Sequence, residues 1–399
     1  MNWKVVLAIL TMNILFMASS YTMLIPFLPM YLTRDLGVGA ESVHLWSGIV
    51  FSATFLVSAI MAPIWGRMAD TKGKRVMAMR ASFLLSVSYF LGGIVESPEQ
   101  LTLMRLFQGF AAGLWPMDLA IMSLYAPPEK LGFCLGLMQG VLTAGGVVGP
   151  LLGGVLAEIF GMRASFFVAG CALFVNFLIF TFVIKEPPVP KEDKPRTAAE
   201  KKTSLWKMPL IRNMILCGTL VQMVILILQP VITTYIADLA DDMNNIVFVA
   251  GLVFSLGGIA GAMAAPVWGT LGQKKGFFRT MCAGLAGAGI CMILQGIPRS
   301  LYLFAIMQFM GGLFFCAIHP AINAVLASNT PPDYKGRIFG FLFAAQQVGS
   351  MAGPILGGLI ATYLGMPWVF AFAGVLLLTL SLVVRRRYLP DSSHRKLLS

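Results

Sequence analysis

With 399 residues, 58% of them hydrophobic, only 12% charged and a mean hydropathy of +0.82, the chain carries more apolar surface than a soluble core of its length can hide, so it belongs in lipid. Its formal net charge of +12 is spread over loops and ends instead of forming an aromatic-studded basic domain, which argues against a nucleic-acid partner and makes the charge a topology signal.

Windows of about 20 apolar residues, enough to cross roughly 30 Å of hydrocarbon, lie near 5–31, 45–65, 77–95, 101–124, 132–156 and 164–184, then near 210–236, 246–268, 280–297, 300–326, 337–360 and 368–384. The runs are continuously apolar, without the alternation of lipid-facing strands, and are predicted to be helices. Ala18, Ser19 and Ser20 offer small residues after an apolar stretch, but that stretch continues to Tyr31, too long for a cleaved leader. Lys4, Arg67 through Arg80, Lys130, the 185–212 stretch, Lys274 to Arg279, Lys335, Arg337 and Arg385 to Lys396 fall on one side of such a protein. Arg34, Arg163 and Arg299 fall on the other, and Arg105 lies within a span. The positive-inside rule then places both termini in the cytoplasm.

The two sets of six spans are copies at a distance of about 204 residues. Gly149-Pro150-Leu151-Leu152-Gly153-Gly154 recurs as Gly353-Pro354-Ile355-Leu356-Gly357-Gly358, and Ala62-Pro63-Ile64-Trp65-Gly66 recurs one residue out of step as Ala265-Pro266-Val267-Trp268-Gly269. The expected fold is an all-α integral membrane protein of twelve transmembrane helices in two pseudo-symmetric six-helix bundles. Its domains would be 1–184 and 209–390, joined by a charged, proline-rich cytoplasmic linker at 185–208 and followed by a cytoplasmic tail at 391–399. Duplicated halves in membrane proteins enclose a site at their interface, which points to transport.

In chain order, the polar residues that could carry chemistry are few. Asn13 lies in span one. Gly66-Arg67-Met68-Ala69-Asp70-Thr71-Lys72-Gly73-Lys74-Arg75 forms a tight turn between spans two and three, with one acid among five bases. Arg105 sits inside span four with Gln108 three residues later on the same face; a buried arginine is a functional hypothesis by default, although near the outer end it could also reach headgroups. Asp118 is the one carboxylate placed within a span. It lies roughly 20 Å along the helix from Arg105, on another face, and is either the group that loads and releases a proton or a satisfied acid bonded to the span-two turn. His319, just before Pro320 in span ten, is a candidate proton relay or an ordinary buried histidine. Gln139, Asn176, Gln222, Gln229, Asn323, Gln346 and Gln347 could line a cavity whose 25 Met and 29 Phe make adaptable apolar walls. Cys134, Cys171, Cys217, Cys282, Cys291 and Cys316 lie in or at the ends of spans without paired spacing and read as packing residues, neither disulfides nor metal ligands. No metal motif, phosphate-binding loop or nucleophile elbow is present, so neither an enzyme nor a cofactor is expected.

The turn at Gly66–Arg75 resembles the loop signature of the major facilitator superfamily, and the words Pro26-Phe27-Leu28-Pro29 and Leu45-Trp46-Ser47-Gly48 are similar to its twelve-span drug:proton antiporter group, the branch of bacterial multidrug exporters. The resemblance implies that Gly66, Asp70, Gly73 and Lys74 brace the cytoplasmic ends of the bundles. It makes Arg105 a tuner of a nearby protonatable group, and it likens Gly140, Gly145, Gly149, Pro150, Gly153 and Gly154 in span five to the antiporter signature. The second copy of the loop has Gly272 where an acid is expected, and the last turn of span four has Ser123 in place of the family's carboxylate. The function implied is proton-coupled antiport that exports amphipathic drugs or toxic compounds by alternating access. Its partners would be a small amphipathic substrate, protons and the lipid of the inner (cytoplasmic) membrane, the chain acting as a monomer. Export of one endogenous metabolite, such as a siderophore or sugar, fits the same residues.

Overall fold

The computed structural model describes residues 2–185, 208–229, 231–239, 246–297, 300–330 and 335–389; nearly all of the 185–208 linker and the whole 391–399 tail lie outside them. The described chain is helical throughout. Span one is α1 (Trp3–Met23), a 3-10 turn (Ile25–Phe27) and α2 (Leu28–Arg34); spans two and three are α3 (Val43–Lys72) and α4 (Lys74–Ile94); span four is α5 (Pro98–Ala111) and α6 (Leu114–Tyr125); spans five and six are α7 (Pro128–Phe160) and α8 (Met162–Phe182). The second half repeats this plan with α9 (Pro209–Ile227) and α10 (Ile232–Leu239), α11 (Ile246–Lys275), α12 (Phe277–Gln295), α13 (Leu301–Phe315) and α14 (Ile318–Ser328), α15 (Lys335–Tyr363) and α16 (Met366–Tyr388).

Among the described residues, 11 helical stretches are long and apolar enough to cross a membrane. The twelfth expected span is the fourth, which is cut into pieces of 14 and 12 residues. Interruptions fall on spans one, four, seven and ten, the first member of each group of three. In spans four and ten a proline accompanies the break: Pro116 is the third residue of α6 and Pro320 the third of α14. At those positions a missing N–H removes no intrahelical bond, so proline marks the restart of a helix at little cost.

Two sequence expectations change. The turn between spans two and three is not spread over Gly66–Arg75: α3 runs through Gly66 to Lys72, and Gly73 alone turns the chain at φ 94°. A side chain would be strained there, as at its counterpart Gly276 with φ 92°. Arg80 is not a loop residue; it lies inside α4.

Glycine stripes set the packing within each half. On α7, a methyl at Gly145 would lie 2.6 Å from Ala18 Cβ, and one at Gly149 would lie 2.7 Å from the Ser19 carbonyl oxygen, so α7 meets α1 backbone to backbone. Gly153 extends the stripe against Met23 and Phe27. On α15, Gly349, Gly353 and Gly357 face Thr219, Met223 and Ile227 of α9 in the same way.

Between the halves, two seams repeat each other. Ser52 of α3 donates to the Met351 carbonyl of α15 at 2.6 Å, and Ser255 of α11 donates to the Val147 carbonyl of α7 at 2.8 Å. Beside them Gly48 abuts the Pro354 carbonyl, and a methyl at Gly251 would lie 2.6 Å from the Pro150 carbonyl oxygen. Gln347 donates to Ser58 at 3.3 Å near the middle of α3. These contacts occupy the halves of the spans remote from the chain termini. Toward the termini, a methyl at Gly66, Gly136, Gly140, Gly269 or Gly340 would meet no atom within 4 Å. Among the described residues, the hydrogen bonds between the bundles thus gather toward the face remote from the termini.

Candidate functional site

The break in span four organises the polar groups nearest to it. Gly113 adopts φ 120°, which only glycine tolerates, so α5 stops at Ala111 and α6 restarts at Leu114. A break inside a span leaves carbonyls without intrahelical donors, and in lipid each must find another partner. The Phe110 carbonyl accepts from the Trp65 indole N–H at 2.9 Å and from Arg80 Nη1 at 3.5 Å; the Ala112 carbonyl accepts from Arg80 Nη2 at 2.9 Å. The Arg80 guanidinium lies 3.8 Å from the centre of the Trp65 ring, and that ring meets Phe110 edge-on at 5.1 Å.

Above the break, Arg105 is 5% exposed. Its Nη1 donates to Gln108 Oε1 at 2.8 Å, while Nε and Nη2 have no hydrogen-bond partner among the described residues. Thr54 of α3 donates to the Arg105 carbonyl at 3.1 Å. The hydroxyls of Tyr89 on α4 and Tyr21 on α1 lie within electrostatic reach of the guanidinium. Below the break, Asp118 is fully buried one turn into α6, and neither carboxylate oxygen has a hydrogen-bond partner among the described residues. The straight helix assumed from the sequence does not exist between Arg105 and Asp118, yet the two groups still do not meet.

In the second half, His319 of α14 and Gln346 of α15 come together, with Gln346 Nε2 3.3 Å from His319 Nδ1. Gln295 donates to Gln308 at 3.1 Å. The other candidates are dispersed. Gln139 and Asn323 are exposed and Gln222 is half-buried, whereas Gln229 is buried and Asn13 is sealed, its backbone carbonyl accepting from Asn176 Nδ2 at 2.9 Å. Gly66 is helical with open space around it, Gly73 forms the turn, Lys74 opens α4, and the side chain of Asp70 lies outside the described residues. Gly145, Gly149 and Gly153 pack span five on span one, Pro150 stands at the seam and Gly154 is buried. No group of three or more potential metal-ligating side chains occurs among the described residues.

Sequence reasoning missed Arg80, Trp65 and the two seam serines. Trp65 and Trp268 were visible as repeated words, but their partners are carbonyls, which leave no trace in sequence. A signal for Arg80 was present: it stands six residues into a span, about 9 Å from its start.

A family model described as Major Facilitator Superfamily matches residues 10–277 and 231–398. The multidrug resistance protein MdtG of Klebsiella pneumoniae (strain 342) is 33% identical over 379 residues, covering 94% of this chain and 92% of its own. The protein of the same name from Yersinia enterocolitica is 32% identical over 380 residues, covering 94% and 91%. Among solved structures, a bacterial homologue of the human lysosomal transporter Spinster, inward-facing and occupied, superposes with a TM-score of 0.81 at 18% identity and covers 97% of each chain. A point mutant of the nucleoside transporter NupG gives 0.78 at 15% identity, covering 97% and 100%.

Proposed function

The chain belongs to the Major Facilitator Superfamily, and from that premise we propose that it is a proton-coupled antiporter that exports amphipathic drugs or toxic compounds across the cytoplasmic membrane by alternating access. It is a multi-pass membrane transporter, not an enzyme. The MdtG relatives, named for multidrug resistance and similar over nearly the whole chain, support drug efflux. The basic residues on the face of the termini support a cytoplasmic location for both ends. With that orientation the hydrogen-bonded seams lie toward the outer face.

The observation that carries the coupling is Asp118, a fully buried carboxyl with no partner for either oxygen among the described residues. Its charged form has nothing to offset desolvation, whereas its protonated form loses far less on burial. A proton taken at the outer face thus favours a sealed Asp118, and release to the cytoplasm leaves a charge that favours a rearranged, hydrated one. Arg105 supports this cycle as a buried cation on the same span, and His319 with Gln346 offers a second polar station on the opposite wall. The glycine stripes allow the bundles to rock as bodies around the seams.

Ethidium uptake into proteoliposomes, driven by an imposed pH gradient, provides the test. Wild-type protein is expected to accumulate ethidium against its gradient, while Asp118→Asn and Arg105→Ala are expected to equilibrate it at most. Full gradient-driven uptake by both variants would remove the coupling assignment and leave the family intact.

A further inference from the structure

The break in span four needs an account beyond Gly113. A glycine permits φ 120° but does not enforce it, since in lipid a continuous helix would satisfy every carbonyl that the break exposes. What is present at the break is a fork: one planar guanidinium reaches the Ala112 carbonyl through Nη2 at 2.9 Å and, more weakly, the Phe110 carbonyl through Nη1 at 3.5 Å. The same cation sits at the C-terminal end of α5, where the carbonyl dipoles concentrate negative charge, and is held flat by the Trp65 ring at 3.8 Å. Trp65 adds its own N–H to Phe110, so spans two, three and four are tied at one point.

The duplicated half supplies an internal control. Trp268 repeats the indole bond, donating to the Leu313 carbonyl at 2.6 Å, but at the place of Arg80 stands Ala283. Next to it Gly284 packs so closely that a methyl would lie 3.0 Å from Ala317 Cβ. Span ten is interrupted there without any positive φ: Cys316 has φ −64° and Ala317 φ −75°. The sharp, glycine-dependent break and the forked cation occur together in the half that carries the buried acid, and both are missing from the other.

We infer that Arg80 is a positioning residue: with Trp65 it holds span four broken at Gly113 and thereby sets the start and direction of α6, which carries Asp118 one turn later. This rests on Asp118 being the proton-carrying group, and the test is built so that the two can fail separately. The purified full-length protein is compared as wild type, Arg80→Ala, Arg80→Lys and Trp65→Phe, each first checked for a monodisperse elution profile. Hydrogen exchange of the 110–118 peptides is measured in detergent without substrate, and Asp118 is labelled with dicyclohexylcarbodiimide at fixed pH, with Asp118→Asn as the blank.

Arg80→Ala is expected to speed exchange across 110–118 about tenfold, the scale set by losing hydrogen bonds to a charged group, and to change Asp118 labelling at least fivefold. Arg80→Lys should recover little of the loss, because its single nitrogen can neither occupy the places of both Nη1 and Nη2 nor lie flat on the Trp65 ring, and Trp65→Phe should fall between Arg80→Ala and wild type. Unchanged exchange in Arg80→Ala overturns the inference. So does faster exchange with unaltered labelling, which would make the fork a local cap only, and so does full rescue by lysine. Absence of labelling in the wild type would instead remove Asp118 as proton carrier, and the exchange measurement would still decide the brace.

Discussion

Spans four and ten occupy matching places in the two halves and are both interrupted, yet by different means. In span four the interruption is a left-handed glycine held by a cation, with a buried arginine on one side and a buried carboxyl on the other. In span ten the chain keeps right-handed angles, close packing replaces the cation, Gln308 stands near the place of Arg105, and Ile322 near that of Asp118. Duplication thus preserved the shape of the wall while the charge was confined to one copy. A neutral wall facing a charged one lets a single protonation event bias the rocking of both, without a second buried charge to desolvate.

The largest effect should come from testing that asymmetry directly. Asp118→Asn is expected to lower gradient-driven ethidium uptake at least about 100-fold, the scale for deleting a proton-transferring group, whereas His319→Gln in the neutral half should cost less than about tenfold. Equal losses would mean that coupling is shared between the halves.

Next come substitutions that the two copies should feel alike. Gly149→Val and Gly353→Val each force a side chain into a helix backbone, against Ser19 and Met223, and should each destabilise by about 1–3 kcal/mol in thermal unfolding. Tolerance in one half alone would contradict the matched stripes.

Smaller again are the seam bonds. Ser52→Ala and Ser255→Ala each remove one hydrogen bond made in the present state, worth about 1 kcal/mol or roughly a fivefold shift in population. Spin-label distances between α3 and α15 and between α7 and α11 should report shifts of similar size for the two variants. A shift for one only would break the equivalence.

The smallest effect concerns an ion pair present in the first half, Arg163 with Asp35 at 3.9 Å; Pro367 stands where a second Arg163 would be. Burial raises the Asp35 carboxyl from its ordinary value, and Arg163 offsets this only in part. A folded-state value above the unfolded one means that the contribution to stability is present below the unfolded value and lost as pH rises through the folded one. Asp35→Asn should therefore leave stability unchanged in acid and raise it slightly near neutrality, by less than about 0.5 kcal/mol for so exposed a pair, as read from thermal unfolding at the two pH values.

The bundles and their glycine stripes were legible because packing of this kind is written in residue type and spacing: Gly145, Gly149 and Gly153 return as Gly349, Gly353 and Gly357. The place of Asp118 inside a span was legible for a similar reason, since a carboxylate in an apolar run stands out, but whether it bonded to the span-two turn was not, and the structure leaves both its oxygens without a partner among the described residues. The breaks were not legible. The residues on either side of Gly113, from Gly109 to Met117, are all apolar or glycine and proline, so a helix that stops and restarts within lipid leaves no polar gap to mark the place. Pro116 and Pro320 hinted at bending, but the angle depends on which carbonyls find donors, and Arg80 reaches those from another span. The Gly66–Arg75 segment misled in the opposite sense: its two glycines suggested a tight turn that began at Gly66, whereas helical hydrogen bonding persists to Lys72 and Gly73 alone turns the chain.

The twin seams also constrain how the molecule can let go. Ser52 and Ser255 grip carbonyls on opposite flanks of the pseudo-axis, so releasing one flank alone would twist the bodies about the other instead of separating them. Full separation on that face breaks both grips, about 2 kcal/mol at roughly 1 kcal/mol each, a cost small enough to keep either arrangement within reach of the other.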